Sequence, residues 1–130
     1  MNYPLLQLIT QEGPHLSHLE YIELALSKGA NWIQLRIKNK PKAELIETAK
    51  NAKRMCNAAA AKLIINDHVE VALRCEADGV HLGKSDMSIK EAREILGSKA
   101  IIGGTANTLQ DIIELSTSHV DYIGLGPFAK

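Results

Sequence analysis

A seven-residue pattern occurs three times in the chain, and its spacing limits the folds the chain can adopt. The copies are Ala30–Arg36, Ala77–Gly83 and Val120–Gly126, and each runs into a predicted strand. Two strand–helix units separate each copy from the next. In a (β/α)₈ barrel, alternate strands supply each interior layer of side chains. The repeat therefore predicts an α/β fold of the TIM-barrel type, in which strands two, four and six share a layer.

Strand and helix patterns alternate strictly along the sequence. Short apolar runs predict six strands, which are Leu5–Thr10, Trp32–Ile37, Lys62–Asp67, Gly79–Gly83, Ala100–Thr105 and Asp121–Pro127. Helical spacing predicts five helices, which open at Ser17, at Pro41 in the first helical position, after His68, at Ser88 and at Thr108. Such alternation predicts a parallel sheet with right-handed crossovers. Residues 1–130 are expected to be one barrel domain with its first six strands and five helices, C-terminally incomplete.

Charge and composition narrow the possible partners. Fifteen basic residues balance fifteen acidic ones, so no global field favours nucleic acid or an anionic membrane. The N-terminal run lacks the features of a signal peptide, and no segment is apolar over the ~18 residues that span a bilayer. Cys56 and Cys75 lack metal-ligand spacing and are expected to be reduced thiols of a cytoplasmic protein. An arc of six strands leaves two open edges, which predicts poor solubility or a homo-oligomer.

Polar residues follow the third and fourth predicted strands. Asn66 and Asp67 end one strand, and Asp86 follows the next. Because the carboxyl ends of parallel strands share one rim, these side chains are expected to converge there and to bind a hard divalent cation. An alternative is that Asp67 caps the following helix with Glu70 as its reciprocal partner, and that Asp86 is an ordinary turn residue.

The second predicted strand carries an unusual set of polar side chains. Gln34, Arg36 and Lys38 alternate along it, so all three are expected to face the barrel axis. An interior guanidinium is costly unless it meets an anion, and arginine suits phosphate. Alternatively, Arg36 pairs with a neighbouring carboxylate and Lys38 is solvated. His81 is also predicted to point inward, as a hydrogen-bonded core histidine.

Four motifs together resemble the thiamin phosphate synthase family. They are Gln-x-Arg-x-Lys from residue 34, the IIND run ending at Asp67, Ala-Asp-Gly-Val-His-Leu-Gly-x-x-Asp from residue 77, and Asp-Tyr-Ile-Gly-Leu-Gly-Pro from residue 121. The resemblance implies a (β/α)₈ barrel that joins hydroxymethylpyrimidine pyrophosphate to thiazole phosphate with Mg²⁺. It also implies that the pyrophosphate leaves first, to give a pyrimidine-stabilised cation that the thiazole nitrogen captures.

The resemblance assigns roles to residues of this chain. Arg36 and Lys38 match catalytic cations that also bind substrate, and Gln34, Asn66 and Thr105 match substrate-binding positions. Asp67 and Asp86 match the magnesium ligands. The chain departs from the family pattern at Asn107, where a histidine is usual, and at Lys84, where a glutamine is common. The family pattern continues past Lys130 into a Thr-rich loop and two more strands that bind thiazole phosphate.

Three other functions fit parts of the same pattern. A thiazole tautomerase shares the fold, but Gln34, Lys38 and Asn107 argue against it. A non-catalytic phosphate-binding remnant of the barrel would keep the pyrimidine site alone. A phosphosugar isomerase or aldolase would need a catalytic base or a Schiff-base lysine pattern, which the sequence does not show.

Overall fold

A computed structural model of the chain describes residues 6–126. Its strands are β1 (Leu8–Ile9), β2 (Trp32–Leu35), β3 (Lys62–Asn66), β4 (Gly79–Leu82), β5 (Ile101–Ala106) and β6 (Tyr122–Leu125). Its helices are α1 (His18–Ser27), α2 (Lys42–Ala58), α3 (Val69–Cys75), α4 (Ile89–Leu96) and α5 (Leu109–Ser116). Strands and helices alternate throughout, as the sequence predicts. No helix within residues 6–126 is long and apolar enough to cross a membrane.

The six strands form one parallel sheet in the order β1-β2-β3-β4-β5-β6. Sequential neighbours are what a βα barrel requires, and the prediction of an all-parallel α/β sheet is confirmed. Strand ends differ from the predicted ones by one or two residues, except that β1 pairs only over Leu8 and Ile9. Leu5 and Pro127, the outer residues of two predicted strands, lie outside the described residues.

Local caps begin the helices much as the sequence predicts. Ser17 accepts a hydrogen bond from the backbone of Glu20, whose side chain accepts one from the backbone of Ser17, which is a complete capping box. Thr108 and Asp111 form a second such box at α5. Pro41 is the N-cap of α2 rather than its first helical residue, because its ψ of 148° is extended and Lys42 begins the helix.

The sheet buries a different core on each face. The helix-side core contains Ile33, Leu63, Val80 and Ile102, which are all fully buried and come from four adjacent strands. Trp32, Ile64 and Ile101 form a smaller cluster on the opposite, inner face, with Tyr122 packed against them. Side chains of a strand alternate between faces, so even positions of β2 lie inside and odd positions lie against the helices.

The sheet curves strongly enough to bring its two ends together on the inner face. The hydroxyl of Tyr122 on β6 donates to Gln7 Oε1, just before β1, over 3.3 Å. Gly103 makes room for the Tyr122 ring, because an added Cβ would lie 2.1 Å from the ring's Cζ. The inner face is therefore a concave surface with polar side chains, as a barrel arc predicts.

Candidate active site

The two acidic residues predicted to be metal ligands lie together at the carboxyl end of the sheet. Asp67 follows β3 with a left-handed backbone, φ 68°, and its N–H donates to the carbonyl of His81 over 2.8 Å. Asp86 lies in the turn after β4, where its Oδ2 accepts from the backbone N–H of Gly83 over 2.7 Å. The two carboxyl groups lie close enough for each to shift the pKa of the other. The structure therefore brings the side chains of Asp67 and Asp86 together at one rim, as the sequence predicts.

Lys38 completes the charged group at this rim. Its Nζ donates to Asp67 Oδ2 over 2.8 Å. Burial raises the pKa of the Asp67 carboxyl, but the hydrogen bonds from Lys38 and Asp86 outweigh burial and hold its pKa below the usual value. Burial and the nearby Asp67 raise the pKa of Asp86. The pKa values of the two carboxyl groups are therefore shifted in opposite directions.

The alternative role of Asp67 as a helix cap is wrong. The N-cap of α3 is His68, which makes no side-chain cap hydrogen bond. Glu70, the expected reciprocal partner, instead forms ion pairs with Lys42 and Arg74. The alternative for Asp86 is correct in part, since its carboxylate does close the turn at Gly83 while also contacting Asp67.

Arg36 extends the basic side of the site. β2 ends at Leu35, yet Ile37 is still buried in the helix-side core, so strand alternation continues and places Arg36 and Lys38 on the face of Gln34. The backbone N–H of Arg36 donates to the hydroxyl of buried Thr10. The guanidinium is exposed and forms no ion pair with a carboxylate among residues 6–126, so the alternative of a carboxylate partner is wrong there.

The three residues matched to substrate binding lie deeper on the inner face. Gln34 is 3% exposed and Asn66 is 8% exposed. The amide nitrogen of Gln34 donates to Gln7. Thr105 on β5 hydrogen-bonds to His81 Nε2 over 2.8 Å. His81 is a satisfied interior histidine, as predicted.

Lys84 does not join the acidic pair. Its Nζ pairs with Asp111 Oδ2 over 2.6 Å and, with backbone hydrogen bonds from Asn107, lowers the pKa of Asp111 to about 2. This ion pair joins the loop after β4 to the start of α5. A cavity of about 500 Å³ lies between the loop after β4 and helix α5, and its lining includes Asp86 and Thr105.

Several residues of the site were not singled out from the sequence. Tyr122 and Gln7 contact His81 and Gln34 respectively on the inner face. Thr10 bonds to Arg36 and to His18 Nδ1. The alternation of side chains within the third repeat copy places Tyr122 on the inner face, and this pattern could have identified Tyr122 from the sequence. The pairing of Gln7 with Tyr122 spans 115 positions and has no local signature.

Taken together, the site has an acidic part and a basic part. Asp67 and Asp86 offer carboxylate oxygens to a divalent cation. Arg36 and Lys38 offer positive charge to an anion, and Gln34, Asn66 and Thr105 offer polar contacts to an uncharged group. An anion bound together with a metal ion fits this arrangement.

Comparison with known proteins gives close relatives. The chain is 49% identical to the thiamine-phosphate synthase of Bacteroides fragilis over 95% of this chain and 60% of that protein. It is 46% identical to the thiamine-phosphate synthase of Flavobacterium psychrophilum over 97% of this chain and 61% of that protein. The chain thus spans about 60% of the length of these curated relatives.

A solved structure has the same fold over the shared region. The thiamine phosphate pyrophosphorylase of Pyrococcus furiosus superposes with a TM-score of 0.85 and is 37% identical, over 92% of this chain and 58% of that chain. The family model described as thiamine monophosphate synthase (TMP-TENI) matches residues 6–130. The chain therefore belongs to the thiamine monophosphate synthase family.

Proposed function

We propose that this chain forms part of a thiamin phosphate synthase, a transferase that joins hydroxymethylpyrimidine pyrophosphate and thiazole phosphate to give thiamin phosphate and pyrophosphate. The observation that carries the proposal is the meeting of Lys38, Asp67 and Asp86 at one rim. Arg36 and Gln34 lie on the same face of β2 as Lys38. The names of the relatives support the same reaction.

Asp67 and Asp86 would hold a Mg²⁺ ion. Two adjacent carboxyl groups suit this hard cation, and no third acidic, histidine or cysteine side chain joins them within the described chain. Magnesium commonly keeps waters and takes phosphate oxygens as its other ligands, so two carboxylates are sufficient. The ion would neutralise charge on the departing pyrophosphate.

The basic residues would act on the same leaving group. The carbon–oxygen bond between the pyrimidine methylene and the pyrophosphate breaks, and its electron pair leaves with the pyrophosphate. Arg36 and Lys38 would bind the oxygens that gain this charge, and the planar guanidinium of Arg36 can make bidentate contact with them. Lys38 is 47% exposed, so it can turn from Asp67 to a bound phosphate. The thiazole nitrogen then bonds to the carbon, with no strong protein base required.

We further propose that the six strands belong to an eight-stranded barrel, with residues 1–130 within its single domain. Support comes from the contact between Tyr122 and Gln7, which joins the two ends of the curved sheet, and from the greater length of the relatives. The substrates would be its small-molecule partners. Two buried free cysteines, Cys56 and Cys75, support a cytoplasmic location.

The test is release of pyrophosphate from the two substrates, measured in the full-length protein with Mg²⁺. Asp67→Asn and Arg36→Ala should each lower the rate by at least about 100-fold. The matched control is Glu70→Gln, which removes an exposed lysine-paired carboxylate three residues from Asp67 and should leave the rate unchanged.

Two results would overturn the proposal. One is a wild-type protein that releases no pyrophosphate, and if it still binds pyrophosphate, the protein is the non-catalytic remnant instead. The other is a pair of variants that match the wild type, which would remove Asp67 and Arg36 from the reaction.

A further inference from the structure

An unbroken chain of hydrogen bonds crosses the inner face between two proposed substrate-binding residues. Gln34 donates to Gln7, and Tyr122 donates to the same Gln7 oxygen. The Tyr122 oxygen lies 3.0 Å from His81 Nδ1, and His81 Nε2 lies 2.8 Å from the Thr105 hydroxyl. Residues of β2, β4, β5 and β6 and of the segment before β1 contribute to this chain of hydrogen bonds. It therefore connects Gln34 on β2 with Thr105 on β5.

The direction of each bond follows from the number of protons available. Tyr122 has one hydroxyl proton and gives it to Gln7, so its oxygen must accept from His81 Nδ1–H. A neutral histidine protonated at Nδ1 has no proton at Nε2, so Nε2 accepts from the Thr105 hydroxyl. Thr105 then keeps its oxygen lone pairs as acceptors for the site, and Gln34 keeps its carbonyl oxygen as an acceptor together with the second N–H of its amide.

We propose that Gln7, Tyr122 and His81 are positioning residues, which hold Gln34 and Thr105 so that both present acceptors and thereby select a ligand group bearing N–H donors. The inference rests on the proposed function, because that function assigns Gln34 and Thr105 to the substrate. It adds three residues to the site and the chemical class of the group they select. A carbonyl oxygen or an anion at the same place would face the acceptor oxygens of Gln34 and Thr105 and so bind less well.

The surroundings are shaped to hold this chain of bonds. An added Cβ at Gly124 would lie 2.8 Å from His81 Cε1, and one at Gly103 would collide with the Tyr122 ring. Trp32 packs edge-on against Tyr122 at 5.2 Å between ring centroids. Burial raises the pKa of Tyr122 to about 12, so the phenol stays protonated at pH 7.

The first experiment determines the histidine tautomer in the full-length protein. Nitrogen-15 NMR of labelled histidine distinguishes the protonated ring nitrogen from the unprotonated one. The wild type should show His81 protonated at Nδ1, and Tyr122→Phe, which keeps the ring but removes the acceptor, should shift the signal towards the Nε2–H form. Tyr21→Phe on α1 is the matched control and should leave the tautomer unchanged.

The second experiment compares two ligands by calorimetry with Mg²⁺. Tyr122→Phe should weaken binding of hydroxymethylpyrimidine pyrophosphate by about tenfold, equivalent to one misaligned hydrogen bond, and leave binding of inorganic pyrophosphate unchanged. Thr105→Val should have the same selective effect, whereas Thr105→Ser, which keeps the hydroxyl, should bind like the wild type. A merely structural role would weaken both ligands together.

The results separate this inference from the proposed function. A wild-type His81 protonated at Nε2, an equal loss for both ligands in Tyr122→Phe, or a Thr105→Ser variant as weak as Thr105→Val would each overturn the positioning role. If the wild type binds neither ligand, both the proposed function and the proposed ligand selection are wrong. The tautomer measurement still decides the direction of the hydrogen bonds in that event.

Discussion

At the scale of single residues, the backbone of Asp67 is unusual for its place in the site. A left-handed backbone is unfavourable for most residues with a Cβ, but aspartate and asparagine tolerate it because their short side chains bond locally. The conformation turns the chain sharply after β3 and directs the carboxylate towards Lys38 and Asp86. Residues held in such conformations cluster at functional sites.

Two substitutions at Asp67 separate its charge from its backbone. Asp67→Asn and Asp67→Ala should both lower pyrophosphate release by about 100-fold, because either change removes a carboxylate that is proposed to hold Mg²⁺. Alanine tolerates the left-handed region poorly, so its variant should also be less stable than the asparagine variant by about 1 kcal/mol. Urea unfolding of the two proteins checks this, and equal stability would mean that the conformation carries no strain.

His81 should make the stability of the protein depend on pH. Burial lowers its pKa from the ordinary 6.5, so between that value and the folded pKa the unfolded chain binds a proton that the folded chain does not. Stability is therefore present above pH 6.5 and is lost as the pH falls below it, by at most about 1.4 kcal/mol per pH unit.

The comparison is with His81→Gln, which cannot take up that proton. Urea unfolding at pH 7.5 and 5.5 should show a smaller loss of stability in the variant than in the wild type. His18, whose pKa burial also lowers, is present in both proteins and cancels in the difference. Equal losses in the two proteins would show that His81 titrates alike in the folded and unfolded states.

At the scale of elements, two copies of the repeat share an acidic clamp at the amino end of the sheet. Asp78 accepts from the backbone N–H of Leu63 on β3 over 2.8 Å and pairs with Lys53 on α2. Asp121 accepts from the N–H of Ile102 on β5 over 2.8 Å and pairs with Arg93 on α4. Asp78, at the start of β4, therefore joins β4 to β3 and α2. Asp121, at the start of β6, joins β6 to β5 and α4.

Removing either clamp should destabilise the protein without touching the site. Asp78→Ala and Asp121→Ala would each leave a backbone N–H without its acceptor and a partly buried cation without this carboxylate, which costs about 2 kcal/mol. Glu44→Ala, which removes an exposed carboxylate 3.8 Å from Lys40, should change stability by less than about 0.5 kcal/mol. Chemical denaturation measures all three, and clamps no costlier than the control would contradict this role.

Which elements the sequence could predict depends on the range of the interactions involved. The Ser17 capping box acts over three residues and was predictable, as was the alternation that turns Gln34 inward. In sequence, Asp67 and Glu70 have the spacing of a helix capping box. In the structure, Glu70 instead pairs with Lys42, 28 positions away, and a contact of that range has no local sequence pattern. The contacts of Tyr122 with Gln7 depend on sheet curvature, which no local pattern contains.

At the scale of the whole molecule, the curved sheet leaves apolar side chains in water at both of its ends. Leu109 on α5 and Leu125 on β6 are 69% and 65% exposed, and Ile9 on β1 is 45% exposed. Open parallel edges and apolar patches promote association between chains. We predict that residues 1–130, prepared alone, elute from size exclusion as an oligomer or aggregate. A stable monomer would contradict this account of the sheet ends.

Asp67, Asp86, Lys38 and Arg36 are proposed to bind a diphosphate together, through a metal ion. The most direct measurement is calorimetric titration of inorganic pyrophosphate into the full-length protein, with Mg²⁺ and without it. We expect binding that requires Mg²⁺ and that Asp86→Asn weakens by at least about tenfold, since that variant loses a proposed metal ligand. Equal affinity with and without Mg²⁺, or an Asp86→Asn variant that binds like the wild type, would contradict it.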